Sequence, residues 1–355
     1  MSASDGRSTD RREGLNRPPR AAVSRRTLLL ATLATPALAQ TVRYPDRPIE
    51  IVVGFTAGGG TDLDARSYGR ALEQKLGGTV VITNRPGAGG ELALGAVARA
   101  RPDGHTIGTT NYPGLLTIPI ERQAQFRLDD FAPIANLVTD PSAITAHANG
   151  PYKSLQDVIA RAKAAPDSIT YASPGIGTDD HLQLVLLQEA AGIRLTHVSF
   201  QGDPQLRTAV LGRQVDLMGL NLGAVTAAPQ GFRILAQAAA SRSRFGPDIP
   251  TLKELGYPVT MASERGLVVP AGTPPAVLAR LREATEEIAR DPEFIRALES
   301  RFTEPAYEPG EAWFARLRRE EPTTAAFGSA RPGCSGADQR PAHTPGRTDS
   351  AVISP

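Results

Sequence analysis

Three glycine-bearing stretches carry the residues best suited to chemistry. GFTAGGGTDLDAR spans residues 54–66, RPGAGG spans 85–90 and PGIGTDD spans 174–180. Each follows a strand-like run and leads into a helical pattern. Glycine lets the backbone approach a ligand and adopt positive φ. The N–H groups of a first helical turn, at the positive end of the dipole, favour an anion. Such loops could hold a phosphate, a dinucleotide or a carboxylate, or they could simply make tight strand–helix turns. Spacing separates these readings. A P-loop needs lysine where Gly60 stands, and without it the β- and γ-phosphates lose their cation. A dinucleotide fingerprint needs a third glycine where Leu92 and Asp180 stand. A carboxylate held between the first two loops fits best.

Catalytic patterns are sparse. No G-x-S-x-G elbow is present, and Ser173 lies in Ala-Ser-Pro-Gly. His181 could act as a base beside Ser173 or Asp180, or could line a loop. Asp62 and Asp64 open a helix, where capping is the default role, with a ligand contact open to Asp62. Asp216 is as readily a structural acceptor as a site residue. The histidines at 105, 147, 181, 197 and 343 are scattered, and Cys334 is alone. No metal site, disulfide or cofactor is expected.

The elements that position the loops alternate. Strands are predicted over 48–55, 79–84 and 105–111, with helices over 63–76 and 91–100 between them. This is the pattern of a parallel sheet. It restarts with a helix over 154–166 capped by Ser154. A strand over 168–173, a helix over 181–192, a strand over 194–200 and a helix over 204–213 follow. Strands over 215–221 and 232–238 complete a second unit. After GLVVP (266–270) come helices over 274–290, 292–300 and 311–319. Two doubly wound α/β units in succession predict two lobes. From about residue 323 the chain loses periodicity and becomes rich in Pro, Gly, Ser and Arg. We expect residues 323–355 to be disordered, or foreign to the fold through an altered reading frame.

The bulk composition fits this plan. The chain has 355 residues, enough for two ordinary lobes, with a net charge of +2 and 41% hydrophobic residues. This near balance of charge gives no case for nucleic acid. Residues 24–39, SRRTLLLATLATPALA, join an arginine pair to a short apolar run and an Ala-Leu-Ala cleavage pattern. They predict an export signal over residues 1–39, with a twin-arginine subtype open, rather than an anchor, since the run is too short to span a bilayer. The mature protein is expected outside the cytoplasm.

Longer stretches carry a resemblance. YPDRPIEIVVGFTAGGGTD, NRPGAGGELALGAVARARPDGHTI, ITYASPGIGTDDHL, VSFQGDPQLRTAVLGRQVDLM and GLVVPAGTPPAVLARL occur in this order. Together they resemble the Bug family of periplasmic solute-binding proteins, the receptors of tripartite tricarboxylate transporters, from about Tyr44 to Arg319. The resemblance implies a two-lobe Venus-flytrap fold, with lobe one over 41–140 plus 261–320 and lobe two over 141–260. It implies a non-enzymatic, monomeric periplasmic receptor that hands a small organic carboxylate to transporter membrane subunits. By the same resemblance, the carboxylate is gripped by main-chain groups of Phe55, Ala57, Gly58, Gly59, Thr61 and Asp62 and of Arg85, Gly87, Ala88 and Gly89. Ser173, Gly175, Gly177, Thr178, His181, Gln201 and Gly202 face the rest of the ligand, and Tyr112 forms a cleft wall. Glu264 and Arg265 depart from the family's aromatic before GLVVP and could bring charge to the cleft. Two rival readings are a secreted hydrolase or transferase using Asp62, His181 and Ser173, and a receptor feeding a signalling sensor.

Overall fold

A computed structural model describes residues 44–329. The segment read as an export signal, and the tail beyond Ser329, lie outside these residues. β1 (Ile49–Val53) is a β-branched run closed by Gly54. α1 (Gly60–Leu76) follows the first glycine loop and ends at Gly77, whose left-handed φ of 68° returns its N–H to Glu73. β2 (Val80–Asn84), α2 (Glu91–Ala98) and β3 (Thr106–Tyr112) repeat the pattern. β1 lies between β2 and β3 and runs parallel to both.

The chain then departs from simple alternation. α3 (Gly114–Glu121) leads into β4 (Phe131–His147), a strand of 17 residues. The second unit contains α4 (Leu155–Ala164), β5 (Thr170–Ser173), α5 (Asp179–Ala191), β6 (Thr196–Ser199) and α6 (Asp203–Leu211). It closes with β7 (Leu217–Asn221), α7 (Leu222–Ala227) and β8 (Phe232–Gln237). The chain returns as β9 (Ala262–Pro270), followed by α8 (Pro275–Ala289), α9 (Pro292–Glu299), β10 (Glu304–Pro309) and α10 (Gly310–Ser329). Ser154 caps α4 as expected, accepting from the Asp157 N–H. The backbone of α10 reaches into the stretch expected to be unstructured; Thr-Thr-Ala-Ala-Phe at 323–327 lacks proline and glycine, so the preceding helix propagates through it.

The strand order is β2-β1-β3-β9-β4-β7-β5-β6, with β10 and β8 also paired to β4. β4 serves both lobes. Its first part, from Phe131 to Pro141, pairs with β9, and Ser142 to Ala146 pairs with β7. Where β4 passes between lobes, Ser142 donates to the Met261 carbonyl (3.0 Å), Met261 to Ala238 (2.8 Å) and Ala238 back to Ser142 (2.8 Å). These crossing segments connect the two lobes.

Strand alternation distributes the core to both faces of the sheet. Ile49, Ile51, Val53, Leu267 and Val269 face Tyr68, Leu72, Leu281 and Ile288, from α1 and α8. Val52 and Val268 face Leu94, Leu115, Trp313 and Phe314, from α2, α3 and α10. In lobe two, Tyr171 and Leu217 join Leu184 and Leu187, while Ala172 and Met218 join Leu206 and Val210. Trp313 is fully buried and donates to Glu264 (3.0 Å). Its ring lies so close to Gly266 that a Cβ there would sit 2.2 Å from it. Only glycine admits α10 at this distance from β9.

Candidate functional site

The first glycine loop delivers its amides to carboxylates, but those carboxylates belong to the chain itself. α1 is capped by Gly59, with no side-chain cap, so Thr61 and Asp62 lie inside the first turn instead of capping it. Asp62 turns back to accept from Gly58 N–H (2.9 Å), Arg66 Nε (2.9 Å) and Asn84 Nδ2 (2.9 Å). Burial opposes ionisation of Asp62, yet those hydrogen bonds outweigh it and hold the carboxyl below its usual range. A side chain so saturated supports the loop and is not free to meet a ligand. Gly60 N–H donates 2.9 Å to Asp203 Oδ2, which arrives from lobe two at the start of α6. Helix geometry leaves the N–H groups of Thr61 and Asp62 without intrahelical partners.

The second loop faces lobe two directly. A Cβ on Gly89 would lie 2.9 Å from the Ile176 carbonyl, and one on Gly175 would lie 2.7 Å from Gly89 Cα. Gly89 (φ 67°), Gly175 (φ 151°) and Gly177 (φ 87°) all need conformations that side chains disfavour. Gly177 also accepts from Thr117 Oγ1 on α3. Gly202 packs against Thr56, leaving no room for a Cβ. The lobes are thus closed upon each other, glycine against glycine.

Several of the expected contact residues make bonds within the chain or lie at the surface in this arrangement. Tyr112 turns from the cleft, and its hydroxyl donates to Glu320 on α10. Arg85 is exposed, with Glu50 at 3.6 Å. Ala57, Gly58, Ala88 and Gln201 are on the surface, Gly87 is half-buried and Gly59 is buried beside Asp203. His181 accepts from Gly177 N–H (3.3 Å). Ser173 is fully buried, and its partner is His197 (Nε2, 2.7 Å) instead of His181. Burial lowers the His197 pKa to about 4.

Where the loops leave space, a small interlobe cavity remains. Phe55, Thr61 and Asn111 line it from lobe one, Arg265 from β9, and Pro174, Thr178, Asp179, Asp180, Asp203 and Asn221 from lobe two. Arg265 is 5% exposed. It donates to Asp64 (2.8 Å), Asp140 (3.2 Å) and Asn221 (2.8 Å). Burial works against its charge, but Asp64 and Asp140 hold the guanidinium firmly ionised. Burial pushes the Asp140 pKa up to about 7, against the pull of Arg265. Asp179 accepts from Ser142 (2.6 Å) and Asn221 (2.8 Å). Asp180 is raised well above the usual carboxylate range by burial and by Asp179, Asp203 and Asp140. Among the described residues, no cluster of His, Cys, Asp or Glu could hold a metal, and no helix is long and apolar enough to cross a membrane.

Two α/β lobes joined by crossing strands around a cleft match a known family. The family model described as the tripartite tricarboxylate transporter family receptor covers residues 65–322. The chain belongs to this receptor family. It is 33% identical over 290 residues to the UPF0065 protein in the gbd 5′ region of Cupriavidus necator, covering 81% of this chain and 88% of that one. The structure of the periplasmic binding protein BugD matches with a TM-score of 0.76 at 31% identity, over 80% of this chain and 97% of BugD. MatC from Rhodopseudomonas palustris, with bound malate, matches with a TM-score of 0.74 at 27% identity, over 80% of this chain and all of MatC (100%).

The receptor family is one of binding proteins, not enzymes. Ser173 is fully buried against His197, and Asp62 is committed to the first loop. The residues that sequence reasoning did not place in this receptor's cleft are Asn111, Asp179, Asp180, Asp203 and Asn221. Two carried a visible signal: Asp179 and Asp180 follow Gly177-Thr178 as Asp62 follows Gly60-Thr61. Asn111 lies one residue before the end of β3 and Asn221 ends β7, and only the tertiary fold brings them to one cavity.

Proposed function

We propose that this protein is an exported periplasmic receptor. It captures a small organic carboxylate between its lobes and delivers it to the membrane subunits of a tripartite tricarboxylate transporter. One observation carries the carboxylate reading: a carboxylate, that of Asp203, already lies on the Gly60 N–H at the start of α1. The adjoining N–H groups of Thr61 and Asp62 offer the same chemistry to a ligand. Main-chain donors to a carboxylate are preorganised and charge-assisted. Each contributes about 1.5–3 kcal/mol, so two or three with apolar burial support micromolar binding. Arg85 to Gly89 complete the grip; Gly89 faces Gly175 in this closed arrangement, so a ligand entering there displaces that contact.

The malate bound to MatC supports a carboxylate as cargo. The arginine pair and Ala-Leu-Ala pattern before Gln40 support export. Lobe closure about the crossing strands provides the state that a membrane subunit recognises. A thermal-shift screen of small organic acids tests the reading. A specific carboxylate raises the melting temperature by mass action; a complete organic-acid panel without any shift contradicts it.

A further inference from the structure

The wall of the interlobe cavity carries two buried polar atoms without partners. Asp180 is 1% exposed and its Oδ1 accepts no hydrogen bond; Arg265 is 5% exposed and its Nε–H reaches no acceptor. Both residues line the cavity. Their demands are opposite. The carboxylate oxygen needs a donor, and the guanidinium N–H needs an acceptor. A buried polar atom left unpaired costs its full desolvation, so each atom points to a complementary group on the occupant.

The balance of charge sharpens this. Asp179, Asp180, Asp203 and Arg265 line the site, with Asp64 and Asp140 behind Arg265, Arg301 on Asp64 and Arg207 near Asp203. Asp179 is satisfied by Ser142 and Asn221, and Asp203 by Gly60, which leaves Asp180 as the acceptor toward the cavity. Burial and its acidic neighbours favour the neutral form of the Asp180 carboxyl while no cation faces it. A ligand with a cationic end would let that carboxyl ionise against it, and the ligand's carboxylate end still suits the start of α1.

We infer that the cargo is a small zwitterion, an amino acid whose ammonium sits on Asp180 and whose carboxylate lies toward Arg265 Nε and the Thr61 N–H. This rests on the carboxylate-receptor reading above and narrows it. Asp180 is then the group that selects for the amine.

Calorimetry on the purified protein with matched pairs tests it: aspartate with succinate, glutamate with glutarate, alanine with propionate and γ-aminobutyrate with butyrate. The expected result is an amino acid that binds at least ~10-fold more tightly than its deaminated partner, the scale of one charge-assisted contact. Asp180→Asn should shrink that gap to about twofold, since the amide keeps the shape and loses the charge. A deaminated acid that binds the wild-type protein as tightly as its amino acid overturns the inference and leaves the carboxylate reading standing. An amine without a carboxylate that binds as tightly as the amino acid overturns the carboxylate reading instead. Absence of binding by every pair overturns both. The wild-type comparison decides the matter even if the variant fails to fold.

Discussion

The two sides of the cleft begin with nearly the same letters. α1 starts as Gly60-Thr61-Asp62, and α5 is entered through Gly177-Thr178-Asp179-Asp180. Their roles diverge because their surroundings do. In lobe one, Thr61 lies inside the helix, and Asp62 folds back onto Gly58 with Arg66 to balance it. That side presents main-chain N–H groups. In lobe two, Thr178 is itself the N-cap, accepting from His181 N–H. This shift places Asp179 against Ser142 and Asn221 and leaves Asp180 on the cavity wall. That side presents carboxylate. The cleft is therefore polarised, with donors opposite acceptors, and two residues of offset at a helix start make the difference.

The largest effect on this contrast is expected from bulk placed between the two sides. Gly59 has an ordinary φ of −79°, so a side chain is tolerated by the backbone. A Cβ there would lie 3.2 Å from the Asp203 carboxylate, and the methyls of valine reach further. Gly59→Val should weaken ligand binding on the order of 100-fold or more by calorimetry. Its melting temperature should stay within a few degrees of wild type, because a clash confined to the lobe contact leaves both cores intact. Unchanged affinity would show that the lobes do not close on this loop.

A smaller effect is expected from the half-buried histidine behind the lobe-two loop. The folded-state pKa of His197 is lowered to about 4 from 6.5. The unfolded chain then binds more protons between these values. The stability contributed by keeping His197 neutral is present above pH 6.5 and is lost as pH falls toward 4. The loss amounts to at most about 3 kcal/mol. His197→Gln, which keeps an acceptor for Ser173, should flatten urea-derived stability across pH 4 to 6.5. Asp140 works in the opposite direction, since its raised pKa of about 7 makes stability fall as pH rises from 4 to 7. The slope that disappears on substitution, rather than the absolute slope, is the diagnostic.

The smallest effect is expected from a side chain on the main-chain side. Thr61→Ala removes a hydroxyl that exchanges hydrogen bonds with Asn111 but keeps the N–H. Ligand affinity should change less than about threefold, under 1 kcal/mol. A tenfold loss would mean that the hydroxyl, and not the backbone, holds the carboxylate.

Much of this molecule is legible in its sequence. Ile49–Val53, Val80–Asn84 and Thr106–Tyr112 read as strands because β-branched runs end at glycine or proline, and α1 and α5 stop at Gly77 and Gly192. β4 does not read as one strand, because Pro133 and Pro141 interrupt it and its register shifts twice against β9. β10 is a short segment with proline at two of its six positions, and α3 holds Pro119. The glycine loops are visible through local chemistry alone. The polar wall does not, because it depends on distance in the chain: Arg265 meets Asp64 across 201 residues and Asp140 across 125. The partner of Tyr112 is hidden for a related reason. Tyr112 ends a strand that points at the cleft, but α10, more than 200 residues later, supplies a carboxylate that draws its hydroxyl away.

A crystal structure of the protein with its bound ligand tests the central claim most directly. The account predicts a ligand carboxylate oxygen within about 3 Å of the Thr61 or Asp62 main-chain nitrogen, at the mouth of α1. A carboxylate held wholly by lobe-two side chains, with those nitrogens bonded within the chain, would contradict it.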